Sequence, residues 1–174
     1  MWVRSEYAGE LSVLSTWLCA LLPWSVSFGQ FQEASVFFFW FLPGNFVFAP
    51  GIEGELERPF WAWDFPGFVT QDWETTMVWL WLAGLAVFLC ALAVSLLYYF
   101  DEEGVESWRI DPVRVLGGLL LGSGVILGGA FLLLFQNQPG TSLPVGTLFL
   151  LVFGVVLLQT ERVEATESEA SGAK

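Results

Sequence analysis

The chain of 174 residues has no histidine, a single lysine (Lys174) and two cysteines. The missing histidine excludes a histidine-based catalytic triad and the usual zinc, copper and haem ligand sets. Cys19 and Cys90 lie deep in apolar runs and read as small packing residues, not as thiols with a task. Charge is scarce as well: 14% of residues are Asp, Glu, Lys or Arg, where an ordinary soluble domain has about 25%. With so few groups to face water, a soluble globular domain is excluded. Six basic against eighteen acidic residues give a net charge of −12, which argues against nucleic acid or anionic headgroups as partners. The chain also lacks a Gly-x-Ser-x-Gly elbow and a Gly-Lys-Ser/Thr phosphate loop.

What is present is apolar: 55% of residues are hydrophobic and 17% aromatic, including ten Trp and seventeen Phe. That content excludes disorder and points to an integral membrane protein. Four charge-free runs qualify as spans: Leu11 to Phe28, Thr76 to Phe100, Val115 to Phe135 and Leu143 to Thr160. Asp111 followed by Pro112 is an N-cap with the residue best suited to the first helical position, and Pro144 opens the fourth run. Pro23 removes a backbone donor, so the first helix is expected to kink or end near Trp24. No ionisable residue interrupts any of the four runs. Proton relays and coupled transporters carry such groups within the membrane, so a pump is not expected. Ser95, Ser123 and Thr147 are too few to line a polar pore.

Positive charge collects on the cytoplasmic side of spans. Four spans with a cytoplasmic N-terminus put Arg4, Arg109, Arg114, Arg162 and Lys174 inside and only Arg58 outside. Five spans, with residues 34–49 as the extra one, divide the cations less unevenly. The expected fold is therefore all-α and integral to the membrane: a four-helix transmembrane bundle with an aromatic-rich extracytoplasmic lid between spans 1 and 2. Residues 1–28 form the cytoplasmic N-terminus and span 1, 29–75 the outer segment, and 76–100 span 2. A cytoplasmic loop at 101–114, span 3 at 115–135, an outer turn at 136–142 and span 4 at 143–160 follow. The Glu- and Ser-rich residues 161–174 read as a disordered cytoplasmic tail. Within the lid, residues 34–49 are broken by Pro43-Gly44-Asn45 and could re-enter the membrane, form an interfacial hairpin, or span.

Two groups of residues stand out. The third run carries Gly117, Gly118, Gly122, Gly124, Gly128 and Gly129, which at about 100° per residue share less than half of a helix circumference. Small residues so spaced let another helix approach closely, either one of the chain's own spans or a second copy. The lid has two aromatic clusters, Phe37 to Phe41 and the group Phe60, Trp61, Trp63 and Phe65. These residues could contact a partner or a flat lipophilic ligand, or could simply anchor the lid among headgroups. Glu53, Glu55 and Glu57 match no calcium loop and read as a solvated acidic face.

The opening Trp2-Val3-Arg4-Ser5-Glu6-Tyr7-Ala8-Gly9-Glu10-Leu11, followed by Leu22-Pro23-Trp24-Ser25, resembles the start of a small haloarchaeal membrane protein family of unknown function. The similarity is best over the N-terminal span and looser in the acidic loop before Pro112, while the aromatic lid looks peculiar to this chain. The resemblance implies a halophilic archaeal source and the cell membrane, and agrees with the acidic surplus, which molar salt screens. It brings no activity, cofactor or catalytic residue. The sequence thus leads to a non-catalytic multi-pass protein without cofactor or metal, both termini cytoplasmic. It would act as an accessory or scaffold subunit toward membrane lipids and another membrane protein or second copy. The alternative is a passive transporter or carrier of a lipophilic ligand gated by the lid.

Overall fold

In a computed structural model, the described residues are 7–31, 34–50, 59–65, 69–106, 108, 110–138 and 140–160. The N-terminal Trp2 to Glu6 of the family-like opening, Arg58, Arg109, the acidic residues Glu53, Glu55 and Glu57, and the tail from Glu161 lie outside them. Helix α1 (Ala8–Leu21) leads into strands β1 (Ser25–Phe31), β2 (Ala34–Trp40), β3 (Gly44–Phe48) and β4 (Phe60–Trp61). Helix α2 (Asp72–Phe100), the short α3 (Glu102–Glu106) and α4 (Pro112–Asn137) follow, then β5 (Thr141–Leu143) and α5 (Val145–Gln159).

The expectation of an all-α four-helix bundle is overturned. The five strands form one antiparallel sheet in the order β4-β3-β2-β1-β5, and the fold is mixed α/β. Only α2 and α4, of 29 and 26 residues, are long and apolar enough among the described residues to cross a membrane. At 1.5 Å per residue each exceeds a hydrocarbon core of roughly 30 Å. The run read as span 1 is divided by Pro23. Helix α1 stops at Leu21, and Ser25 to Phe28 pair with β2 instead of continuing the helix. Residues 34–49 form a hairpin, with Phe37 opposite Phe48 and Trp40 opposite Asn45.

Local chemistry explains these boundaries. Phe, Trp and Val favour the pleated, half-buried surface of a strand, and Pro43-Gly44 provides the reversal. At the turn, Phe41 N–H donates to Gly44 O at 2.8 Å and Ala62 N–H donates to Pro43 O at 2.9 Å. The Asp111 carboxylate caps α4 by accepting from Val113 N–H at 2.9 Å, with Pro112 beside it in the first turn.

Because β5 pairs with β1, the α1–α2 and α4–α5 connections meet at one end of the helices. Helix α4 packs against both α2 and α5, and α1 touches α2, α4 and α5. One face of the sheet lies on this assembly and carries the buried Ser25, Ser27, Trp40, Asn45 and Val47. The other face is apolar and open.

Candidate functional site

The sheet register sorts the aromatic residues by face. Directly opposed residues point the same way, so Ser25, Trp40, Asn45 and Phe60 form one row across β1, β2, β3 and β4 on the helix side. Beneath this row, Trp81 of α2 lies 5.4 Å from Trp40, 6.0 Å from Trp24 and 5.4 Å from Phe65, ring centre to ring centre. The pairs with Trp40 and Phe65 meet edge to face, the arrangement favoured by ring quadrupoles. Trp81 N–H donates to Leu42 O at 3.0 Å. At the far side of the cluster, Thr147 of α5 donates its backbone N–H and its hydroxyl to Trp24 O.

The lid residues predicted as one surface therefore divide. Phe60 and Phe65 are half-buried and meet edge to face at 6.0 Å on the inner side. Trp61 and Trp63 point outward, with planes 4° apart and centres 5.2 Å apart. They are 45% and 59% exposed. On the same outer side, Phe28, Phe37 and Phe48 make a second row with centres 6.5 and 6.3 Å apart. Phe46 of β3 and Leu143 of β5 are exposed on this face too.

Between the inner face and the helix ends lies a cleft of about 560 Å³, within the usual range for small-molecule sites. The sheet contributes Phe38, Trp40, Asn45, Val47 and Phe60; Phe65 and Val69 flank them. The start of α2 contributes Trp73, Glu74 and Met77, and the end of α4 contributes Leu134 and Asn137, followed by Gln138. Several polar groups here are already engaged. Trp73 N–H donates to Gln71 Oε1 at 2.7 Å, and Asn137 Nδ2 donates to Leu133 O at 2.9 Å. The Glu74 carboxylate, ahead of the apolar run from Thr76, accepts from Thr70 N–H, Gln71 N–H and the Thr70 hydroxyl. The Thr70 N–H is the largest cause holding its carboxyl below the ordinary glutamate range. Trp40 Nε1, Asn45 Oδ1 and Gln138 Oε1 have no hydrogen-bond partner.

The six glycines of α4 point to two neighbours. At 100° per residue, Gly117, Gly124 and Gly128 share one stripe, and Gly118, Gly122 and Gly129 another roughly 120° away. The first stripe faces α5. A methyl group at Gly117 would stand 3.1 Å from Gly154 O, and one at Gly124 would stand 3.1 Å from Leu150 Cβ. At Gly128 the nearest atom is Thr147 Cγ2, at 3.9 Å. The second stripe leans loosely on α2, through Val87 at Gly122 and Leu80 at Gly129, while Gly118 has nothing within 4 Å. Close helix contact thus falls on the seven-residue spacing of Gly117 and Gly124, and not on the Gly-x-x-x-Gly pairs.

Sequence reasoning grouped Trp40 with the aromatic stretch Phe37 to Phe41 and read Trp81 as part of an interfacial belt, and it singled out neither Asn45 nor Gln138. Asn45 carried a signal, since it follows Pro-Gly, but it read as a turn former and is instead 3% exposed on a strand. Gly154 was equally hidden: a methyl there would lie 2.7 Å from Leu121 N. Among the described residues no group of three or more His, Cys, Asp or Glu could hold a metal ion. The family model described as "Family of unknown function (DUF7549)" matches residues 1–162. No curated protein matches the chain.

Proposed function

The chain belongs to that family of unknown function, and we propose from its geometry that it is a non-catalytic multi-pass membrane protein acting by contact. In this reading α2 and α4 cross the membrane and the shorter α1 and α5 reach into it beside them, with both termini cytoplasmic and the sheet outside. The membrane is that of a halophilic archaeon, as the acidic surplus and the N-terminal resemblance suggest. Burial supports the membrane part. The most apolar stretches of α2 and α4 have mean hydropathies of 2.5 and 2.2, yet only 28% and 33% of them is buried. Core helices of a soluble protein would be mostly enclosed. Leu14 and Leu21 of α1 and Leu148 and Val152 of α5 are exposed as well, so all four helices turn apolar surface outward.

The observation that carries the functional part is the outer face of the sheet. Phe28, Phe46, Phe48, Trp61 and Trp63 are exposed on a hydrogen-bonded platform. A contiguous apolar patch of this kind marks an interaction surface, and aromatic side chains dominate the energy of such contacts. The partner is another membrane protein or a second copy, seated on the outer face.

Two measurements test the proposal. A membrane-impermeant maleimide should label Gln30→Cys from outside and Glu102→Cys only after permeabilisation, in a background lacking Cys19 and Cys90. The opposite pattern would reverse the topology. For the contact, Phe28→Ser combined with Phe48→Ser should reduce co-purification of the partner in mild detergent, at unchanged expression. Undiminished recovery would remove the outer face as the docking surface.

A further inference from the structure

The cleft on the opposite, inner face of the sheet has a composition unlike a simple packing gap. Its walls are aromatic, yet three of its lining residues hold polar atoms that nothing satisfies. Trp40 and Asn45, opposed across β2 and β3 and 5% and 3% exposed, leave an indole donor and an amide oxygen unpartnered. Gln138, just past the end of α4, leaves a second amide oxygen. A buried donor or acceptor without a partner is costly, and each calls for an explanation. The residues carrying the donor and one acceptor are directly opposed on neighbouring strands, and Phe38 and Phe60 line the same cleft. One hydroxyl group can serve both, since it donates one hydrogen and accepts another.

Charge narrows the class further. Among the described residues Glu74 is the only ionisable one lining the cleft, and its hydrogen bonds favour the charged form. No Arg or Lys among the described residues lines the cleft to balance a phosphate or carboxylate. We infer that this cleft is a binding site for an uncharged, flat lipophile bearing a hydroxyl group, a phenol or a ring-containing alcohol. The rings of such a ligand lie against Phe38 and Phe60, and its hydroxyl accepts from Trp40 Nε1 and donates to Asn45 Oδ1. This site is on the other side of the sheet from the docking surface and does not depend on it.

Three probes of one shape test the inference on the full chain in lipid nanodiscs, with empty nanodiscs subtracted: 2-naphthol, naphthalene and 2-naphthoate. By isothermal titration, 2-naphthol should bind saturably with a Kd about tenfold below those of naphthalene and 2-naphthoate, as expected for satisfying a buried pair. Trp40→Phe keeps an aromatic ring but removes the donor, and Asn45→Leu keeps the size but removes the acceptor. Each should bring 2-naphthol to the level of naphthalene. No saturable binding beyond empty discs, equal affinity for 2-naphthol and naphthalene, or tightest binding of 2-naphthoate would each overturn the proposal. So would a preference that survives both substitutions. Should either variant fail to fold, the comparison of the three probes on the unaltered protein decides alone.

Discussion

The indole nitrogen of Trp81 donates to the carbonyl oxygen of Leu42 at 3.0 Å, joining α2 to the turn between β2 and β3. Both residues are buried, at 0% and 3% exposure. The bond therefore fixes the height of the sheet above the helices, and with it the depth of the cleft.

Replacing Trp81 by Phe should keep much of the ring packing but leave Leu42 O without its donor. An unsatisfied buried carbonyl costs about 1–3 kcal/mol, so the variant should melt at a visibly lower temperature in detergent. Trp81→Leu, which also loses the ring contacts to Trp24, Trp40 and Phe65, should melt lower still. An unchanged Tm in Trp81→Phe would mean that this bond does not hold the sheet.

Glycine tolerance should follow the neighbour, not the motif. A methyl at Gly154 meets the Leu121 backbone at 2.7 Å, and one at Gly146 meets Pro23 O at 2.6 Å. Because backbone cannot swing aside, Ala at either position should destabilise by about 1–3 kcal/mol, the usual range for overpacking. Gly118→Ala, facing open space, should be neutral or slightly stabilising through helix propensity. Thermal unfolding of the three variants checks the order, and equal losses would refute it.

Asp111→Ala should lower stability by about 1 kcal/mol, the ordinary value of an N-cap, because Val113 N–H loses its acceptor. Asp111→Asn retains an oxygen and should restore most of the loss. If Asn melts as low as Ala, the carboxylate acts through its charge and not through the cap.

Acid should loosen the start of α2. The folded state holds the Glu74 carboxyl below its ordinary range, chiefly through the Thr70 N–H. A lowered folded-state value means that the stability Glu74 contributes is fully present above the ordinary glutamate range. It is lost as the pH falls through the lowered value. Glu74→Gln should therefore melt below the unaltered protein at neutral pH, with the difference closing on acidification. A constant difference across that window would show that ionisation of Glu74 is not involved.

Much of the helical part was legible because its signals are local. The charge-free run from Thr76 and the Asp111-Pro112 pair gave the positions of α2 and the start of α4, and Pro23 marked a kink or an end close to where α1 stops. Each depends on a property of a few adjacent residues: a missing donor, a capping oxygen, an unbroken apolar stretch.

The hairpin at residues 34–49 was one of three readings the sequence left open, but the sheet as a whole was not legible, for an equally physical reason. A half-buried strand announces itself by alternating apolar and polar residues, but β2 and the strand opposite it carry Phe and Val on both faces. An apolar run without alternation reads the same whether it enters lipid or pairs with a neighbour. The three-residue β5 has no pattern at all; its place beside β1 depends on Gly140, whose φ of +122° suits glycine and which abuts the Phe28 backbone.

Sequence by itself determined that this chain is apolar, acidic and without histidine chemistry, and it grouped six glycines and four lid aromatics. Tertiary structure alone decided what each group does. Helical spacing states the angle between two glycines but not which helix stands opposite, so only packing could give Gly117 and Gly124 to α5 and leave Gly118 open. Strand pairing, set by hydrogen bonds between distant segments, turned Phe60 inward and Trp61 outward and brought Trp40 beside Asn45. Such contacts have no local signature, because the partners that define them are supplied by other parts of the chain.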